Sequence, residues 1–170
     1  MVSGEWRGAG LRFRHQSSPA LTMPTNILRR ATDQRKPRAK PARGEGASRL
    51  AVLTAGGISV RIELAATATA ELVWQALPLY SSAETWGRSI KFETPLEVGR
   101  DRTARLIGSP GEIYFWIEDD RIIVPFGPTP ISRPGECRLP SPANVIGWAL
   151  DDVTVFEAVQ PGAKVSLTVA

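Results

Sequence analysis

Between Ile58 and Leu64 the apolar residues Ile58, Val60, Ile62 and Leu64 alternate with Ser59, Arg61 and Glu63. A period of two marks a strand with one face in a core. No other feature limits the fold of this chain as much, because the pattern is short, broken by turns, and returns. Ala55, Gly56 and Gly57 separate it from a second apolar run, Leu50 to Thr54. Glycines tolerate the positive φ of a tight turn, so the two runs are expected as a hairpin. Arg88 to Thr94 repeats the alternation, with Ile90 and Phe92 on one face and Lys91 and Glu93 on the other. Glu112 to Glu118 and Arg121 to Phe126 form a second expected hairpin around Asp119 and Asp120. Asn144 to Ala149 and Lys164 to Val169 complete the strands. The stretch Pro125 to Pro142 holds six prolines and is expected as a stiff loop, since each proline removes a ladder donor.

Two segments carry helical signals instead. Thr67 to Leu77 has Thr67 or Thr69 as a cap, an apolar face of Leu72, Val73, Ala76 and Leu77, and Pro78 as its stop. Asp151 or Asp152 can cap a short second helix through Ala158. Many short strands with one early and one late helix, and no βαβ alternation, predict a mainly β fold. A closed β-barrel with the two helices at its open ends fits that order.

Charge divides the chain. Residues 1 to 47 carry ten Lys and Arg against Glu5, Asp33 and Glu45. Of the totals of 21 and 17, this leaves 11 basic and 14 acidic residues for the remainder. The net +4 is therefore +7 on an N-terminal arm and −3 on the rest. The arm, residues 1–48, shows no sustained apolar period and is expected to be a disordered basic tail, with Met23 as an alternative start of translation. Nucleic-acid contact through the tail is a third functional reading. Residues 49–170 are expected to form the folded domain.

The composition removes whole classes of chemistry from that domain. His15 is the only histidine and Cys137 the only cysteine. The domain has no imidazole for general base work, and a lone thiol forms neither an intramolecular disulfide nor a thiolate metal cluster. No metal site and no cofactor are expected. Glu118, Asp119 and Asp120 lack calcium-loop spacing and read as a solvated hairpin tip. No run reaches the roughly 18–20 apolar residues of a membrane span, and no signal-peptide core is visible. The expected location is cytoplasmic, with no membrane partner.

Several stretches together are similar to a known family. They are Leu72 to Pro78 (LVWQALP), Thr85-Trp86-Gly87 followed by Ile90-Lys91-Phe92, Pro110 to Trp116 (PGEIYFW), Phe126 to Ser132 (FGPTPIS) and Pro142 to Gly147 (PANVIG). Five such stretches in order, over roughly 100 residues, resemble the small prokaryotic cyclophilin-like proteins. The resemblance implies a cyclophilin-like β-barrel in a family of unassigned activity. Prolyl isomerases of this fold carry a Phe-His-Arg stretch that is missing here. Arg88 is the only candidate for the cation that such catalysis needs.

The candidate ligand-binding residues are Thr85, Trp86, Gly87, Tyr114, Phe126, Gly127, Thr129 and Asn144. Each has a structural reading beside the functional one. Trp86 is a ligand contact or a core plug, and Gly87 lets either a ligand or the chain itself come close. Of Tyr114-Phe115-Trp116-Ile117, alternate residues share a face, so one pair points to the core and the other is covered or lines a groove. Thr129 offers its hydroxyl to a ligand or to its own loop. Asn144 opens a strand, where turn formation competes with ligand contact. The leading expectation is a domain that binds a peptide or small molecule in a cleft. The alternative is a peptidyl-prolyl isomerase with a non-standard site built on Arg88.

Overall fold

A computed structural model describes residues 49–170. The basic arm, and the nucleic-acid reading attached to it, lie outside the described residues. Ten strands and two short helices follow one another as β1 (Arg49–Ala55), β2 (Ile58–Leu64), α1 (Ala68–Gln75), β3 (Leu79–Ser82), β4 (Glu84–Thr85), β5 (Ser89–Glu93), β6 (Arg105–Gly108), β7 (Glu112–Trp116), β8 (Arg121–Pro125), β9 (Cys137–Ala149), the 3₁₀ helix η1 (Val153–Ala158) and β10 (Lys164–Val169).

All the pairings are antiparallel. The sheet runs β3-β10-β1-β2-β9-β7-β8-β5-β4, with β6 attached to β9. The hairpin expected at Gly56-Gly57 forms, both glycines at positive φ, and pairs Ala55 with Ile58. Inward residues of strands from both ends of this path share one core. Leu53, Ile62, Ile90, Phe92, Ile113, Phe115, Ile122, Ile146 and Leu167 are almost wholly buried in one cluster. The sheet therefore curls around its apolar face, and the alternation Val60, Ile62, Leu64 points inward as the sequence requires.

Three expectations need correction. The first is closure: the hydrogen-bonded path does not return on itself, so the barrel is not closed. Its two ends, β3 and β4, are halves of one extended segment that changes partner at Ala83. Ala83 donates to Ala163 O (2.8 Å) and accepts from Gly162 N (2.7 Å), continuing the pairing with β10. One residue later Glu84 pairs with Lys91 on β5. A closing strand must pair on both edges along its length. Here each half pairs on one.

The second correction concerns the proline-rich stretch, of which only 126–136 is loop. From Cys137 the chain is already strand β9, with Pro140 and Pro142 inside it. They are tolerated because the β6–β9 ladder shifts register between its Ile107–Arg138 and Arg105–Ala143 pairs, and the β7–β9 register begins at Asn144. The third is the face of α1. Thr67 caps the helix, accepting from Ala70 N, and Thr69, Ala70 and Val73 are buried, but Leu72 is exposed. At 3.6 residues per turn, Leu72 lies roughly 100° from Val73 and falls off the buried stripe. The second helix is a 3₁₀ turn capped by Asp152, while Asp151 bonds Arg61 instead.

Candidate functional site

The segment that leaves the sheet unclosed also shapes its surface. Where it abandons β10 for β5, a cleft of about 450 Å3 opens between the β4–β5 hairpin on one side and η1 with the chain that follows it on the other. Thr85, Gly87, Arg88 and Phe126 line one side, and Phe156, Glu157, Val159, Gln160 and Pro161 the other. A second concavity of similar size adjoins it around Ser81, Ser82, Glu84 and Glu93, sharing Thr85 and Pro161 with the first. No large apolar side chain lines that one, and Glu84 is engaged by Lys91 and Arg121. The first cleft differs in having Phe126, Phe156 and Val159, all almost wholly buried, packed behind it and a guanidinium at its rim.

The hairpin tip is fixed by the loop beneath it. Trp86 N donates to Ser89 O (3.0 Å), and Ser89 Oγ returns a bond to Trp86 O (2.6 Å). Arg88 N donates to Pro128 O, and Phe126 N donates to Arg88 O, each at 2.9 Å. This packing needs two glycines. A Cβ on Gly87, whose φ is +59°, would stand 2.7 Å from Pro130 Cδ and 2.9 Å from Thr129 Cα. A Cβ on Gly127 would stand 2.8 Å from Arg88 Cδ. The close approach at Gly87 is thus to the chain's own loop, and the Arg88 side chain lies across Gly127. That course carries the guanidinium to Glu157, with which it forms an ion pair, both side chains about half exposed.

The structure brings Thr85, Gly87, Arg88 and Phe126 together at this cleft. Gly127 lies under Arg88. Trp86 is half-buried beside the tip. Thr129 is buried and donates to Arg138 O while sharing a bond with Ser132 Oγ, so its hydroxyl serves its own loop. The far side of the cleft, Phe156 to Pro161, was not among the residues singled out from sequence. The 3₁₀ turn carries it there from about seventy residues away, and no local motif announces that.

Tyr114 and Asn144 lie elsewhere, both fully buried. Phe115 is the core-facing neighbour, and Tyr114 packs with Ile123, Leu139 and Val145 on the sheet's other face. Its hydroxyl donates to Glu112 and accepts from Ser109 N (3.0 Å). Burial, followed by the bond to Glu112, pushes the phenol well above its ordinary range. Burial likewise raises the thiol of Cys137, to about 11. Asn144 Nδ2 donates to Thr69 Oγ1 and to Gly99 O, and its Oδ1 accepts from Asp101 N, at 2.8–3.0 Å. Asp101 in turn accepts from Thr69 Oγ1 and Thr103 N. Asn144 ties the 95–104 loop to α1, which is a structural duty.

Among the described residues, no group of three or more His, Cys, Asp or Glu is placed to hold a metal ion, and no helix is long and apolar enough to cross a membrane. The family model described as Cyclophilin-like matches residues 49–168. A hypothetical protein from Archaeoglobus fulgidus, solved in solution, is similar in structure, with a TM-score of 0.64 and 28% identity over 75% of this chain and 100% of that one. No curated protein matches by sequence. The chain belongs to the cyclophilin-like family.

Proposed function

We propose that this member of the cyclophilin-like family is a binding domain that holds a peptide or small molecule in the cleft of Thr85, Gly87, Arg88 and Phe126. One observation carries the reading: Thr85, Gly87, Arg88 and Phe126 meet Phe156, Glu157 and Val159 to Pro161 around one cleft of mixed polar and apolar lining, with a single guanidinium at its rim. The hairpin tip and its supporting loop are pinned by main-chain bonds, so little conformational entropy is lost when a ligand settles against them. The absence of histidine from the domain supports binding over acid–base chemistry.

The second reading, a prolyl isomerase, is favoured by the position of Arg88, which stands at the cleft as a cation must to meet a twisting amide. An oriented donor of this kind supplies about 10²–10³ in rate. Arg88, however, is held by Glu157 and is about half exposed, so its field is screened. Uncatalysed X–Pro exchange takes tens to hundreds of seconds, and modest catalysis is easily seen. The purified full chain at micromolar concentration is expected to accelerate a prolyl-peptide assay by less than tenfold, and short peptides are expected to raise its Tm. A larger acceleration that disappears in Arg88→Ala would replace the binding reading with the catalytic one.

A further inference from the structure

Two polar features of the cleft are open to a ligand, one an edge of main chain and the other a guanidinium held only by an exposed ion pair. The first is main chain. Trp86 turns toward Ser89 and Glu84 pairs with Lys91, so alternation along an extended strand aims the N–H and C=O of Thr85 at the opposite edge. Among the described residues no strand lies there, because β4 ends the path, and Thr85 lines the cleft. The second is Arg88, whose guanidinium is met by the carboxylate of Glu157 from the facing wall. Both partners are about half exposed, so the pair is weak and water competes for it.

We infer that the ligand is the C-terminal end of a peptide, its last amide paired with the main chain of Thr85, its carboxylate on Arg88, and its last side chain against the edges of Phe126 and Val159. Glu157 is then an internal carboxylate that occupies the guanidinium until the peptide displaces it. The inference rests on the cleft being the binding site. An amide group suits an unpaired strand edge, and a carboxylate suits the planar fork of an arginine. A neutral ligand would leave the Arg88–Glu157 pair in place across the cleft. An anionic ligand exchanges one carboxylate for another, and loses little in doing so.

The test uses the ¹⁵N-labelled full chain and two probes, N-acetyl-Ala-Phe with a free carboxylate and the same dipeptide as its C-terminal amide. The free acid is expected to shift the amides of Thr85, Gly87 and Arg88 and to bind about two- to fivefold more tightly than the amide, the worth of an exposed ion pair. Arg88→Gln should erase that difference. Glu157→Gln should tighten the acid about two- to fivefold, the worth of an exposed ion pair, and leave the amide unchanged. Equal binding of acid and amide at these residues would overturn the carboxylate inference while leaving the cleft as a binding site. No shift of these residues by either probe at millimolar concentration would overturn both. Weaker binding of the acid by Glu157→Gln would show that Glu157 belongs to the site and is not a competitor. Thermal unfolding of each variant separates these outcomes from loss of fold.

Discussion

The cluster around Asn144 and the cleft around Arg88 are both polar and both depend on long-range contacts, yet they differ in how their groups are spent. At Asn144 each side-chain atom is inside the protein and bonded to α1 or to the 95–104 loop. Asp101, Thr69 and Thr103 are joined to the same network. At Arg88 the main chain is satisfied, but the side chain reaches an exposed carboxylate across the cleft, and Thr85 turns its backbone toward the same space. A polar group that is buried and saturated has nothing left to offer a ligand, and removing it leaves its partners unsatisfied. A polar group at a rim with one weak partner can change that partner at small cost. The comparison separates scaffold from site.

If the difference is real, substitutions should sort by it. Asn144→Ala is expected to destabilise the fold by about 2–4 kcal/mol, because several buried groups each lose a partner, as read from the midpoint of urea unfolding. A loss below about 0.5 kcal/mol would mean that water replaces the amide and that the network is not structural. Tyr114→Phe should cost about 1–2 kcal/mol, since Glu112 keeps Arg105 but Ser109 N–H loses its acceptor. Arg88→Ala should change stability by at most about 1 kcal/mol while weakening ligand binding, the opposite of what Asn144→Ala does.

Asp151 calibrates an exposed ion pair outside both regions. Hydrogen bonds from the side chain and backbone of Arg61 hold its carboxyl at about 2, against an ordinary 3.8. A depressed acid stabilises the fold above its unfolded pKa and loses that contribution as the pH falls through the folded one. Asp151→Asn should therefore lower Tm slightly at neutral pH. The gap from the parent should narrow between pH 3.8 and about 2, as followed by circular dichroism. A gap that persists below pH 2 would assign the effect to something other than the charge.

The strands that build the core were legible because alternation reports burial: Ile62, Ile90 and Phe92 all point where the pattern puts them. The two strands that end the sheet path were not. Glu84–Thr85 is two residues long with both side chains exposed, and Leu79–Ser82 buries only Leu79, so neither shows a period. A pattern of short strands suggests closure, yet it does not reveal that one segment pairs first with β10 and then with β5. Thr85, Gly87 and Phe126, which line the cleft, belong to recognisable stretches of the sequence, whereas Glu157 to Pro161 do not. Asn144 and Tyr114 belong to equally recognisable stretches but serve packing, and only their burial tells the two cases apart.

The most direct test of the division is an amide shift map of the full chain titrated with a mixture of short peptides bearing free C-termini. The account predicts shifts concentrated on Thr85, Gly87, Arg88, Phe126, Glu157 and Gln160, with Asp101, Thr103, Tyr114 and Asn144 unmoved. Shifts centred on Asp101 and Asn144 instead would contradict it, because they would place the binding site where the structure spends every polar group on itself.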